Sequence, residues 1–351
     1  MNKFWLTRVL AIALVFGVFA VQTPETFAAE EGWLVSFEEA KAAAAKEKKT
    51  IFMQFTGSDW CKYCILLEKN VLSKELFKTE APKQFVLLKL DTPRDKSKQS
   101  AEEKAQFQKL AAQYKVNGFP TIILADEQGR PFARLSGYEG TAAKEYVQGL
   151  AKKNEIRAIR DAAFAKAAEA EGIGRAKFLD EALTSMDSDL AISAYAETVK
   201  EIIGLDAENN AGLRSRYEYL QKVPVVKAAI QKIARSASGA KLADSVKAYD
   251  DLIDEHKLTG ELLQEALFSK SFVYYSDGMK LQKEATDSED EAVSAAKSAE
   301  SKDRLIQAKT LLLQSKNAAP KAAFSQRIDG IIARYFKDVE VPEGTDAEPK
   351  K

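Results

Sequence analysis

The sequence predicts an α/β N-terminal domain, with a mixed central sheet flanked by helices, followed by an all-α domain of helical hairpins. Three observations carry this. Up to about residue 150, apolar runs of strand length alternate with helical stretches and Gly/Pro punctuation. Two strand-like runs close that region as a hairpin, which mixes an antiparallel pair into an otherwise alternating α/β order. Beyond it the chain is alanine-rich, charged and helical in period, with two prolines (Pro224, Pro320) before residue 338 and no cysteine.

The first 28 residues are expected to be a signal peptide. Lys3 and Arg8 precede an unbroken apolar run of thirteen residues, Val9 to Val21, and small residues follow at Thr26 and Ala28. A bilayer-spanning helix takes about 20 apolar residues, so this run is too short for an anchor. Cleavage after Ala28 leaves 50 basic and 51 acidic residues, a formal charge of −1. That balance excludes nucleic acid or an anionic membrane as an electrostatic partner, and no integral membrane segment is expected after cleavage. The expected location is periplasmic or secreted, in a bacterium.

From residue 29 to 153 the elements follow in the order αβαβαββα. Phe37 to Lys48 is a helix, with Ser36 as its cap and Glu38 and Glu39 in its first turn. "TIFMQF" (Thr50 to Phe55) is a short apolar strand broken by Gly57 and Ser58, after which Trp60 opens a helix to about Leu76. "FVLLKLD" (Phe85 to Asp91) is a second strand, followed by a polar stretch and a helix near Ala101 to Tyr114. "PTIILAD" and "PFARLSG" are strands joined through Glu127, Gln128 and Gly129, and a last helix runs from Thr141 to about Lys152.

Every cysteine in the chain lies in "GSDWCKYCILLE": Cys61 and Cys64, just after a strand and at the first turn of a helix. Helix positions i and i+3 share a face about 5 to 6 Å apart, inside the Cα window of about 4.4 to 6.8 Å that a disulfide needs. Free amide hydrogens at a helix start favour an anion and lower a thiol's pKa, so Cys61, nearer the start, is the expected thiolate nucleophile. Lys62 acts in the same direction and Asp59 opposes it. A structural disulfide across so small a loop stabilises by only about 2 kcal/mol. A zinc site wants four ligands, and the one histidine, His256, is far away in the helical region. Redox activity accounts for the spacing, the helix start and the lack of other thiols together; no metal or cofactor is expected.

The residues here resemble the thioredoxin-like family. Trp60-Cys61-Lys62-Tyr63-Cys64 looks like its WCxxC site. "VNGFPTIIL" (Val116 to Leu124) resembles its second fingerprint, in which the proline, here Pro120, is cis, and "GRPFARLSGYEG" is similar to the closing hairpin, with Gly137 near the usual glycine. The resemblance covers about Glu30 to Lys153. It implies that Cys61 attacks a substrate disulfide, or is attacked when oxidised, and that Cys64 resolves the mixed disulfide. It implies that backbone groups at Phe119 and Thr121, beside Pro120, hold the substrate chain as an added strand, with Trp60, Tyr63 and Phe119 as an apolar rim. Trp60 and Phe119 could instead be partly core, with Tyr63 exposed.

Two departures qualify the resemblance. Thioredoxins proper bury an acid in the strand before the site, where this chain has Gln54 or Phe55 according to how "FTGSDWC" is aligned. The Lys62-Tyr63 dipeptide lacks the proline of reducing thioredoxins and the histidine of strong oxidases and isomerases. About 30 mV corresponds to 1.4 kcal/mol, so one side chain there can set direction. The insert "DTPRDKSKQSAEEKAQ" resembles the loop and extended helix of exported thioredoxin-like proteins with a "TGSDWC" start.

Residues 154–337 place Ala, Leu, Ile and Tyr at 3- and 4-residue steps, as in "KLADSVKAYDDLIDEH". "GLDAENNAGLRSRYEYL" and "KNAAPKAAFSQRIDGIIARYF" weakly resemble tetratricopeptide-type turns. "EATDSEDEAVSAAKSAESKD" reads as a solvated helix face and turn, His256 as a solvated helix residue, and 338–351 as a disordered tail. The function expected is thiol-disulfide oxidoreductase, reductase or isomerase-like. Its partners are protein thiols or disulfides and an upstream redox partner, and its helical region serves protein docking or homo-oligomer formation. The alternative is a helical scaffold whose first domain mainly docks partners, for which two intact cysteines are not needed.

Overall fold

The computed structural model describes residues 32–237 and 239–342. The expected signal peptide, 1–28, lies outside them, as does most of the expected tail, 343–351. The chain divides into two compact units between Glu155 and Ile156.

The first unit is built on a five-stranded mixed sheet in the order β1-β3-β2-β4-β5. Its strands are β1 (Trp33–Leu34), β2 (Thr50–Thr56), β3 (Phe85–Asp91), β4 (Thr121–Ala125) and β5 (Pro131–Ser136). β1, β3 and β2 run parallel, while β4 is antiparallel to both β2 and β5. Every residue of β2 is buried, as suits a central strand covered on both faces. On one face Ile51, Met53 and Phe55 pack with Ala40 and Ala44 of α1 (Phe37–Glu47) and Leu110 of α4 (Ala101–Gln113). On the other Phe52 meets Trp33, Phe85 and Phe77, the last from α3 (Glu75–Gln84).

Local chemistry fixes the helix starts. Ser36 Oγ accepts the Glu39 amide ahead of α1, and Ser100 and Glu103 form a reciprocal capping box ahead of α4.

Three elements depart from expectation. The helix expected from Trp60 to Leu76 begins at Lys62 as α2 (Lys62–Leu67), passes into a π-type turn at Glu68–Leu72, and stops. α3 then starts afresh at Glu75 and contains Pro82. Nothing between Glu68 and Lys74 breaks a helix by composition; the new direction lets Phe77 and Ala81 reach the sheet. β1 is two residues long, below the length at which alternation can be read, and exists because Trp33 and Leu34 pair with Leu87 and Leu88. Finally, α5 (Ala143–Glu169) does not end near Lys152 but continues through a segment free of Gly and Pro.

The second unit is helical throughout its described residues: α6 (Gly172–Thr184), α7 (Ser188–Ala194), α8 (Ala196–Leu205), α9 (Leu213–Ala237), α10 (Leu242–His256), α11 (Gly260–Thr286), α12 (Glu291–Ala318) and α13 (Ala323–Tyr335), after the end of α5. Sequential helices pack on one another: Val226 and Ile230 of α9, Tyr249 and Leu252 of α10, and Leu262 and Ala266 of α11 share one core. The turns are held by acids. Asp206 accepts from the amides of Ala211, Leu213 and Arg214 before α9, and Asp290 from those of Ala292 and Val293 at the start of α12. Helix lengths from 7 to 28 residues keep no fixed repeat, so the tetratricopeptide likeness is loose. His256 is half-buried in the last turn of α10 rather than fully solvated. The start of the expected tail is held, since Val339 packs beside Ile328 and Phe336 and its carbonyl accepts from Lys309 Nζ.

Candidate active site

β2 delivers the chain to a tight turn in which the Gly57 carbonyl accepts from the amides of Trp60 (3.3 Å) and Cys61 (2.9 Å). Gly57 is required there by space: a Cβ would come within 2.6 Å of Trp60 Nε1. The indole lies across the turn and donates to the Thr92 carbonyl at 2.8 Å.

Cys61 is the N-cap of α2, in extended conformation, and its Sγ accepts the Cys64 amide at 3.2 Å. The two cysteines form a disulfide with Cα atoms 5.2 Å apart. Both are buried, Cys61 at 7% exposure and Cys64 at 1%, so the residue at the helix start is the more exposed.

The second motif meets the first through a ring contact. The Phe119–Pro120 peptide bond is cis. The Pro120 carbonyl accepts from Gly137, whose φ of 78° suits glycine, at 2.8 Å, and Thr121 Oγ1 donates to the Gly118 carbonyl at 2.8 Å. Trp60 stands edge-on to Phe119 with centroids 5.8 Å apart, and Phe119 in turn contacts Phe107. Thr121 already lies inside the sheet, opposite Phe55 and Ser136, whereas Phe119 precedes the strand. Trp60 and Phe119 are therefore both packed and partly accessible; Tyr63 is 54% exposed.

The pleat puts Gln54 and Phe55 on opposite faces of β2. Phe55 points into the core with Phe107 and Tyr114, and Gln54, on the opposite face, is fully buried with no hydrogen-bond partner for Oε1 among the described residues. A neutral amide thus stands on that face of the strand.

Sequence reasoning missed the loop after β3. Because β2 and β3 are parallel neighbours, with Thr56 opposite Asp91, the segments leaving them lie side by side. Both Asp91 carboxylate oxygens accept from Ser58, through its amide and its hydroxyl. Asp59 accepts from the amides of Arg94 (2.9 Å) and Asp95 (3.1 Å). Those amides, Arg94 first, hold the Asp59 carboxyl below its ordinary range. The Arg94 guanidinium sits over the Trp60 ring, 5.8 Å from its centroid. The juxtaposition of "TGSD" and "DTPRD" at the ends of adjacent strands was the available signal.

Among the described residues no group of three His, Cys, Asp or Glu could hold a metal, and no helix is long and apolar enough to cross a membrane. A helix-capping thiol bonded to its i+3 neighbour is an arrangement for thiol-disulfide exchange. Comparison with known proteins agrees. A model of the thioredoxin-like domain matches residues 37–153. The disulfide bond reductase DsbH of Chlamydia pneumoniae is 35% identical over 136 residues, which cover 39% of this chain and 80% of that protein. Among solved structures, a DsbH oxidoreductase is 28% identical, with 38% of this chain and 94% of that one covered and a TM-score of 0.33. A thioredoxin from Thermus thermophilus is 24% identical, covering 34% and 84%, with a TM-score of 0.27. The chain belongs to the thioredoxin-like family of thiol-disulfide oxidoreductases.

Proposed function

We propose that the protein is an exported bacterial reductase of protein disulfides, working through Cys61 and Cys64. The observation that carries this reading is the Cys61 sulfur at the start of α2, receiving an amide hydrogen that favours its thiolate. The choice of reduction over isomerisation leans on the relative whose name is disulfide bond reductase.

In the reduced enzyme, the Cys61 thiolate attacks one substrate sulfur, forming a mixed disulfide and releasing the other sulfur as a thiolate that takes a proton. Cys64, deprotonated, then attacks Cys61 Sγ. The Cys61–Cys64 bond forms, the substrate leaves as a dithiol, and two electrons have passed to it. A dithiol donor, the upstream redox partner, restores the enzyme. Phe119, ahead of β4, offers backbone for a substrate strand, Pro120 and Thr121 fix its position, and Trp60 and Tyr63 supply the apolar rim. Export rests on the charged start and thirteen-residue apolar run of the first 28 residues. Residues 29–153 are the redox domain, and 154–337 select or position substrates.

Dithiothreitol-driven reduction of a protein disulfide by the purified mature chain tests this. The wild type should accelerate the reaction well above the Cys61→Ser, Cys64→Ser double variant, and equal rates would falsify the reading.

A further inference from the structure

We propose that Arg94 is a specificity-determining residue, whose guanidinium over the ring of Trp60, the residue before Cys61, selects substrates carrying a carboxylate close to the reacting cysteine. The inference rests on the redox function proposed above and deepens it by naming a substrate class: polypeptide disulfides flanked by Asp or Glu.

The loop that carries Arg94 is fastened to the active-site turn at four places. Thr92 donates its amide to the Thr56 carbonyl at 3.0 Å. Ser58 binds Asp91, Trp60 Nε1 binds the Thr92 carbonyl, and Asp59 binds the amides of Arg94 and Asp95. Arg94 is therefore placed by its backbone, and its exposed side chain lies over the indole of Trp60, the residue before Cys61 in the chain. A guanidinium over a ring keeps its N–H groups directed outward for a carboxylate.

The surrounding charges leave this head group available. The carboxylates of the loop and of the turn it meets are hydrogen-bonded elsewhere: Asp91 by Ser58, Asp59 by two amides, Asp95 by Ser97. The other loop cations are engaged too, Lys96 with the Pro93 carbonyl and Lys98 with Asp95 at 3.9 Å. Among the described residues neither Arg94 nor Lys62, the first residue of α2, is ion-paired, and Lys62 is exposed beside Cys61. An incoming carboxylate meets an oriented guanidinium with no internal acid bound to it.

The test uses the full mature chain, reduced beforehand and freed of reductant, and two disulfide-linked peptides that differ only in Glu or Gln two positions from the reacting cysteine. The second-order rate for each is divided by its rate with dithiothreitol, which removes differences in intrinsic reactivity. The wild type should prefer the Glu peptide about three- to fivefold at low ionic strength, as for an exposed charge pair, with the preference shrinking toward unity at about 0.5 M salt. Arg94→Gln should bring the ratio to one, Arg94→Glu should reverse it, and Arg94→Lys should keep it. An unaltered ratio in Arg94→Gln, its loss in Arg94→Lys, or no preference in the wild type overturns the assignment. A wild type that reduces neither peptide faster than the double cysteine variant overturns the redox reading itself.

Discussion

Cys61 Sγ accepts the backbone amide hydrogen of Cys64 across 3.2 Å. The same covalent partner that closes the disulfide thus presents a donor to the sulfur it will release on reduction. Cys64 has no equivalent position, being inside the first turn and 1% exposed. In the reduced protein, iodoacetamide at mildly acidic pH should label Cys61 well before Cys64, read by mass spectrometry of the peptide spanning both. Equal labelling, or Cys64 first, would reverse their assigned roles.

Gln54 leads to a prediction about stability. Its Oε1 is buried with no partner among the described residues, and an unsatisfied buried acceptor carries a desolvation cost of roughly 1 to 3 kcal/mol. Gln54→Leu, close in volume, should raise stability by about 1 kcal/mol. The tryptophans of the described residues, Trp33 and Trp60, both lie in the first unit, so urea unfolding followed by their fluorescence reads the right part of the chain. A less stable variant would mean that the amide has a role the sheet does not reveal.

Asp59 ties the loop of Arg94 to the site, and its pH dependence has a definite sign. The amides of Arg94 and Asp95 lower the folded carboxyl pKa below the unfolded value of about 3.9. The stabilisation is therefore complete above that value and is lost as pH falls through the lower folded pKa. Urea midpoints for wild type and Asp59→Asn should differ at pH 7 and converge toward pH 3. A gap that stays constant over this range would show that the charge of Asp59 contributes nothing.

Truncation probes the helical half, and the structure moves the best cut. Asn154 accepts from Thr50 Oγ1 at 2.7 Å and donates to Gln84 at 3.3 Å, so a chain ending at Lys153 loses both bonds. A chain ending at Glu155 should be about 1 kcal/mol more stable than one ending at Lys153, by the same fluorescence measurement. It should still reduce oxidised glutathione. Carrying Cys64→Ser, it should trap fewer protein partners on Cys61 than the full chain; an unchanged set would leave the helices as architecture alone.

The sequence by itself determined the elements whose signals are local. Ser36 before two glutamates marked a helix cap, "TIFMQF" read as a short apolar strand, and the spacing of Cys61 and Cys64 put them within disulfide range on one turn. The tertiary structure decided whatever depends on neighbours distant in the chain. It ended the helix after the cysteines at Leu72 and restarted it at Glu75 so that Phe77 could pack against Phe52 and Trp33. It made a strand of Trp33 and Leu34 through β3, and it put Gln54 and Phe55 on opposite faces of β2, each against different helices. It also brought Arg94 to Trp60, 34 positions away in the chain, because parallel strands β2 and β3 end side by side. Caps, periods and a three-residue spacing are written in consecutive residues, whereas strand order is a global property of packing and appears in no short stretch of sequence.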